Sequence, residues 1–223
     1  MQGGSAGFPK EIVMVKKFQS LYQFSCNVYV ISSDRGKILI DPGHYDKKIK
    51  TYLKEIGGVD AVLLTHGHWD HICGLDDLKA DYPDAPVWIY AKDQIFLQDP
   101  ALNGSAYNGF ALIVHSDTLA VQEGKLRIGG YEIDVIHTPG HSGGSVMYYF
   151  QRENVLFTGD AILKNVSSPT FSQTGSAKEA RESMRKVIHY GFSEDTAVYP
   201  GHGESTSYGY LLKHNPDIRG AIT

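Results

Sequence analysis

The sequence predicts an α/β sandwich, two sheets covered by helices. Three observations carry that expectation. Short apolar runs of strand character alternate with segments of helical period. Four of those apolar runs end in a glycine-containing loop followed by a His or an Asp, which lines polar groups along one sheet edge. The chain has 223 residues, 42% hydrophobic and 21% charged, enough apolar side chain for a sizeable core and too much for a disordered chain.

In chain order, residues 1–11 are expected to be a flexible lead, with 12–223 forming one domain. Residues 12–18, 24–32 and 37–40 read as strands, the last two joined by the hairpin loop Ser33-Asp34-Arg35-Gly36. Over 45–56, Ile49, Tyr52, Leu53 and Ile56 recur at helical spacing, and Gly57-Gly58 stops the helix. Residues 59–64 read as a buried strand, 71–81 as a helix ended near Pro83, and 87–90 as another strand. The stretch 93–125 is mixed and loop-rich, and a long loop in an enzyme is often a binding element. Residues 126–128 and 131–137 form a hairpin around Gly129-Gly130, and 145–150 pairs with 155–158 around 151–154. The amphipathic stretch 176–190 puts Ala180, Met184, Val187 and Ile188 on one side. Residues 196–199 are the last strand and 204–214 the final helix.

Charge narrows the function. A net charge of −4 with no Lys/Arg-rich stripe argues against a nucleic-acid binder. Lys16-Lys17 and Lys47-Lys48 read as isolated, solvated pairs. No apolar run approaches the ~20 residues of a membrane helix, and the N-terminus has no charged-then-apolar leader. Cys26 and Cys73 are then expected to be free thiols in a reducing cytoplasm.

The chemistry concentrates in Thr65-His66-Gly67-His68-Trp69-Asp70-His71, which follows the apolar run 59–64. Neutral imidazole and carboxylate are the usual ligands of zinc and similar divalent metals. Residues i and i+2 of an extended loop, His66 and His68, can turn their rings to one centre. Asp70 and His71 stand where a helix could begin, so they can turn to a second. Thr138-Pro139-Gly140-His141, Phe157-Thr158-Gly159-Asp160 and Tyr199-Pro200-Gly201-His202-Gly203 each follow a further apolar run. The candidate metal ligands are therefore His66, His68, Asp70, His71, His141, Asp160 and His202. Asp70 and Asp160, the carboxylates among them, are the expected catalytic residues. No G-x-S-x-G occurs, so a serine nucleophile has no support. His115, His137, His189 and His214 read as structural or surface residues, and Cys73 as a small packing residue.

On these motifs, the chain resembles the metallo-β-lactamase-fold hydrolases, most closely the small bacterial glyoxalase II-like enzymes. The matching segments are T-H-G-H-W-D-H at 65–71, T-P-G-H at 138–141, F-T-G-D at 157–160, Y-P-G-H-G at 199–203 and D-P-G at 41–43. Residues 99–104 also look like a segment of the glyoxalase-like branch, and the resemblance spans about 12–216. It implies an αββα four-layer sandwich with metals at one edge. It implies one metal on His66, His68 and His141, a second on Asp70, His71 and His202, and Asp160 bridging. Zn2+ is the expected metal, two per chain, with Fe or Mn as alternatives. Two such cations on the order of 3.5–4 Å apart share a hydroxide available near pH 7, which attacks an acyl carbonyl. Asp41, in its D-P-G turn, is the main candidate to accept the second N–H of a ligating imidazole, with a plain turn role as the competing reading; His44 beside it stays open.

The implied partner is a small-molecule acyl or thioester substrate, with no nucleic acid, no membrane and an open oligomeric state. The branch's usual G-R-T-D-like stretch after the bridging Asp is replaced here by 161–168, without its Arg. Little chain follows His202, so the C-terminal helical domain of full-length glyoxalase II enzymes is not expected. Both departures imply slower hydrolysis of a glutathione thioester. Lys164, Tyr107 and Lys213 are candidates to contact an acidic substrate, and equally surface residues. The alternatives are a mononuclear iron persulfide dioxygenase, in which His66, His141 and Asp160 hold one iron, and a lactonase. A β-lactamase is disfavoured, because Asp160 stands where many of those enzymes carry a thiolate.

Overall fold

Alternate residues of a strand point to opposite faces, and here each face meets a different apolar layer. The computed structural model describes residues 13–19 and 26–222. The expected lead at 1–11, and residues 12 and 24–25 of the first two expected strands, lie outside them. Strands β1 (Met14–Gln19), β2 (Asn27–Ser33), β3 (Gly36–Ile40), β4 (Ala61–Leu63), β5 (Val87–Tyr90) and β6 (Leu119–Val121) form one sheet in that order. Strands β7 (Gly124–Ile128), β8 (Tyr131–His137), β9 (Val146–Phe150), β10 (Val155–Gly159), β11 (Ala197–Pro200) and β12 (Thr206–Ser207) form the other, again in sequence order. Each sheet mixes antiparallel hairpins with parallel pairs: β3, β4, β5 and β6 run parallel, as do β10 and β11.

Between the sheets lie Tyr29, Ile31, Ile38, Ile40 and Leu63 of the first against Ile133, Val135, Tyr148, Phe150 and Phe157 of the second. Val28, Val30, Leu39 and Val62 point the other way, onto helix α1 (Lys47–Glu55) and the helices α2 (Trp69–Ile72) and α3 (Leu75–Asp81). Ile136, Met147, Tyr149 and Leu156 point outward from the second sheet onto α4 (Ala177–Tyr190), α5 (Tyr208–His214) and α6 (Pro216–Ile222). The result is the expected αββα layering. Complete burial of each Ile or Leu in these layers contributes roughly 1.5–3 kcal/mol before entropy is counted.

The helices start where side chains can satisfy their first amides. Asp46 accepts from the N–H groups of Lys48 and Ile49 at 2.9 and 3.1 Å, so α1 begins at residue 47. Ser176 accepts from Glu179 N–H at 3.2 Å, and Gly191 closes α4 with a left-handed φ of 79°. The helix expected over 71–81 is two short helices. Gly74 separates them: its N–H donates to the Pro42 carbonyl at 2.8 Å, and a Cβ there would lie 2.7 Å from backbone atoms of Pro42 and His44. The helix expected over 204–214 is the strand β12 followed by α5. A further helix, α6, follows Asn215, whose side chain accepts from Ile218 N–H at 2.9 Å with Pro216 in the first turn. The two lysine pairs read as isolated line one groove between β1 and α1, where Lys16 Nζ lies over the Tyr52 ring while Lys17 Nζ turns away to the Gly203 carbonyl. No helix of the described residues is long and apolar enough to cross a membrane.

Candidate metal centre

Four strands deliver the candidate ligands to one edge. β4 leads into the 65–68 loop, His68 stands at the start of α2, and Asp70 and His71 lie in its first turn. The loop between β8 and β9 supplies His141, the end of β10 supplies Asp160, and the end of β11 supplies His202. All seven residues meet. Ligand atoms of His66, His68 and His141 lie within 4.8 Å of one another, and so do those of Asp70, His71 and His202. Asp160 reaches both groups: Oδ1 lies 3.5 Å from His71 Nε2, and Oδ2 lies 3.6 Å from His141 Nε2 and 3.5 Å from His202 Nε2. His66, His71, His141 and Asp160 are buried, while His68, Asp70 and His202 are half-buried.

Hydrogen bonds on the far side of the rings set which nitrogens are bare. Thr65 Oγ1 donates its only proton to Asp41 Oδ2 at 2.7 Å, so it can only accept from His66 Nδ1 at 3.1 Å. His71 Nδ1 donates to the same Asp41 oxygen at 3.0 Å, and His141 Nδ1 donates to the Pro169 carbonyl at 2.7 Å. With Nδ1 engaged in this way, Nε2 of His66 and His141 carries a lone pair into the site, and Nε2 of His71 is the ring atom that faces it. Those of His66 and His141 face each other at 3.2 Å. His71 Nε2 and Asp160 Oδ1 are buried without a hydrogen bond. Ring nitrogens and carboxylate oxygens crowded this closely fit a cation, and the donor set of imidazoles and carboxylates is one that divalent metals take.

The electrostatics of His66, His68 and Asp160 agree with that use. Burial, reinforced by the neighbouring imidazoles, holds His66 well below the usual histidine range, and burial with His141 brings His68 to about 3. Both rings are neutral and ready to ligate at physiological pH. Burial alone would raise the Asp160 carboxyl, yet His71, His202 and His141 hold it well below the usual carboxylate range. At His71 burial is outweighed by Cys26, Asp160, Asp70 and Asp41, which hold its pKa well above the ordinary value, so without a cation this ring takes a second proton at Nε2 that a bound metal would displace.

Asp41 is both a turn residue and an acceptor. Its φ is +53°, and its two oxygens take Thr65 N–H at 2.7 Å, Thr65 Oγ1 and His71 Nδ1. Gly201 leaves room for the centre, since a Cβ there would collide with Asp160 Oδ1 and lie 2.7 Å from His71 Cε1. The sequence reading missed Asp93. It is fully buried, and its Oδ2 accepts from Gly67 N–H at 3.0 Å and Ser142 Oγ at 2.6 Å, tying the loop of His66 and His68 to that of His141. Its neighbours Lys92 and Gln94 are polar too, so the turn after β5, Ala91–Leu97, gave no local signal that sets Asp93 apart. Of the other histidines, His137 stacks on Tyr90 at 4.2 Å, and His115, His189 and His214 lie apart from the centre. Cys73 ends α2 and is exposed.

A cleft of about 540 Å³ opens over His68, Asp70, His141 and Asp160. Tyr107 lines it, whereas Lys164 pairs with Glu204 at 2.7 Å and Lys213 with Glu194 at 3.8 Å, neither in the cleft wall.

The family model of the metallo-beta-lactamase superfamily matches residues 21–202. The chain belongs to this superfamily. A relative described as "Probable metallo-hydrolase YqgX" of Bacillus subtilis is 33% identical over 197 residues, 87% of this chain and 92% of that protein. "Hydroxyacylglutathione hydrolase GloC" of Haemophilus influenzae is 26% identical over 210 residues, 92% of this chain and 96% of its own. Among solved structures, that of the BLEG-1 B3 metallo-beta-lactamase superposes with a TM-score of 0.85 at 36% identity, covering 92% of this chain and 99% of that one. The superfamily and its metallo-hydrolase members make this chain a metal-dependent hydrolase in type, with candidate His/Asp metal-binding groups.

Proposed function

We propose that this protein hydrolyses a thioester or related acyl compound at a centre of two divalent cations. The observation that carries the reading is Asp160, whose two oxygens reach both clusters of ligand atoms at once. In this reading His66, His68 and His141 hold one cation, Asp70, His71 and His202 the other, and Asp160 serves both. Zn2+ suits the donors best, and Fe or Mn fit the same set. Such cations supply hydroxide at neutral pH and polarise an acyl carbonyl.

The chain's own residues do the rest. Asp41 and the Pro169 carbonyl fix the rings of His71 and His141, so their Nε2 atoms stay aimed inward. Asp93 holds the two ligand loops in register. Asp70 lies on the cleft floor with Oδ2 3.0 Å from His202 Nε2, where it can hold a proton released by the attacking water. The balance is simple: a C–O bond forms, the C–S bond breaks, and the water's proton ends on the leaving sulfur. No oxidant enters, unlike in a persulfide dioxygenase.

Similarity to the hydroxyacylglutathione hydrolase supports the thioester. The fold and 36% identity shared with the BLEG-1 enzyme favour one second reading, a β-lactam as the acyl compound. The deciding experiment is metal analysis of protein purified without added metal, followed by turnover of a thioester, a lactone, a β-lactam and a persulfide on the same sample, with oxygen uptake recorded. Two metals per chain and thioester turnover without oxygen uptake are expected. One metal, with oxygen consumed on persulfide, would replace this reading with the dioxygenase.

A further inference from the structure

The walls of the cleft say what its occupant carries. No Lys or Arg is among the described residues that line it, and its two carboxylates, Asp70 and Asp160, are the ones assigned above to the cations. Lys164 and Lys213 are engaged by Glu204 and Glu194 outside it. The remaining lining is aromatic, apolar or neutral amide: Trp69, Leu102, Tyr107, Asn108, Phe171 and Gln173 matter most. Phe171 is 92% exposed and Tyr107 71%, a large apolar surface left facing water.

Phe171 is held there by its surroundings. Pro169 accepts from His141 Nδ1 at 2.7 Å, Ser172 Oγ donates to the His141 carbonyl at 2.8 Å, and Thr174 Oγ1 accepts from Gly143 N–H at 3.1 Å. The segment carrying Phe171 is thus anchored at three points to the loop that bears a candidate ligand. Gln173 Nε2 donates to Tyr107 Oη at 2.6 Å, which joins this segment to the 105–108 turn. The aromatic rings are presented on braced backbone at the mouth of the site. A carboxylate on the carrier would find no Lys or Arg on the wall to pair with, whereas an apolar or aromatic group would cover the exposed rings of Tyr107 and Phe171.

We propose that the cleft selects an acyl compound with an apolar or aromatic group and an uncharged carrier, seated against Trp69, Tyr107 and Phe171, and that it disfavours a carboxylated carrier such as glutathione. The proposal rests on the acyl-hydrolase reading above and adds the substrate class.

Two pairs of probes test it on the metal-loaded protein. The first pair is the phenylacetyl thioesters of N-acetylcysteamine, which is uncharged, and of glutathione, compared by kcat/KM. The second is the matching pair of non-hydrolysable phenacyl thioethers, compared by calorimetric titration. The uncharged member of each pair is expected to win by about tenfold or more. Phe171→Ser, at a position too exposed to matter for folding, should weaken binding of the uncharged thioether several-fold. Gln173→Lys should narrow the gap by raising affinity for the glutathione thioether. Equal or tighter binding of the glutathione thioether, no binding of either, or an unchanged affinity in Phe171→Ser overturns the proposal. Binding in the expected order with no thioester turned over would sink the hydrolase reading and leave the selectivity standing. Turnover favouring glutathione would do the reverse.

Discussion

Asp41→Asn separates the orienting role of this residue from its turn role. Asn tolerates positive φ nearly as well as Asp, so the turn at +53° should survive. The amide oxygen must take the Oδ1 place, because an NH2 there would confront Thr65 N–H, which donates to that oxygen at 2.7 Å. The NH2 then sits at the Oδ2 place. It can donate to Thr65 Oγ1, but it meets His71 Nδ1 at 3.0 Å as a second donor. His71 must move its proton to Nε2, which points it at Asp160 Oδ1 3.5 Å away and removes the lone pair a cation needs. Losing a partner of this kind typically costs about 10–100-fold in metal affinity, or ~1.4–2.8 kcal/mol. The assay is competition of Asp41→Asn with a chromophoric chelator, read as two binding steps, beside a melt of the metal-free protein. The step assigned to Asp70, His71 and His202 should weaken within that range while the metal-free melt moves little. Two unchanged binding steps would refute the tautomer argument, and a collapsed metal-free melt would show that the carboxylate chiefly holds the turn.

Three further outcomes follow from the same geometry. Asp160→Ala should abolish activity and lower metal content by atomic absorption more than His68→Ala does, since Asp160 serves both clusters and His68 one; equal metal content in the two would contradict bridging. Gly201→Ala should cut both metal binding and turnover, because its Cβ would occupy the space of Asp160 Oδ1 and His71, while circular dichroism stays that of the parent; full activity would mean the loop gives way freely. Stripping metal with a chelator should lower Tm by ~11–22 °C, taking ~2.7 kcal/mol for each of two cations at 100 times its Kd and ~2–4 °C per kcal/mol at this chain length; calorimetry checks it, and an unchanged Tm would argue that no cation is bound in the folded state.

The candidate ligands that the structure brings together could be picked out because their pattern is local: His66, His68, Asp70 and His71 fall in one short loop, and the other three follow apolar strands through glycines. The strands were legible for the same reason, Tyr131–His137 and Val87–Tyr90 being bounded by turns and filled with β-formers. What escaped depends on distant partners. Asp93 is a clamp only because Gly67 and Ser142 arrive from either side, and nothing near it in the chain announces them. The break between α2 and α3 comes from the Pro42 and His44 backbone pressing on Gly74. The short strands β6 and β12 exist through pairing with β5 and β11 and carry little pattern of their own.

The division of the chain into two consecutive sheets has a consequence for how the halves stay together. His66, His68, Asp70 and His71 come from the half that ends at β6, and His141, Asp160 and His202 from the half that begins at β7. A cation shared by His66 and His141, as proposed above, would staple positions 75 residues apart and so act as a reversible cross-link closing a long loop, the kind whose constraint on the unfolded chain is greatest in principle. Cut between Val121 and Gly124, the chain would give two fragments that each hold a partial set of donors. Their reassembly should be titratable by metal, with the ion as the clasp.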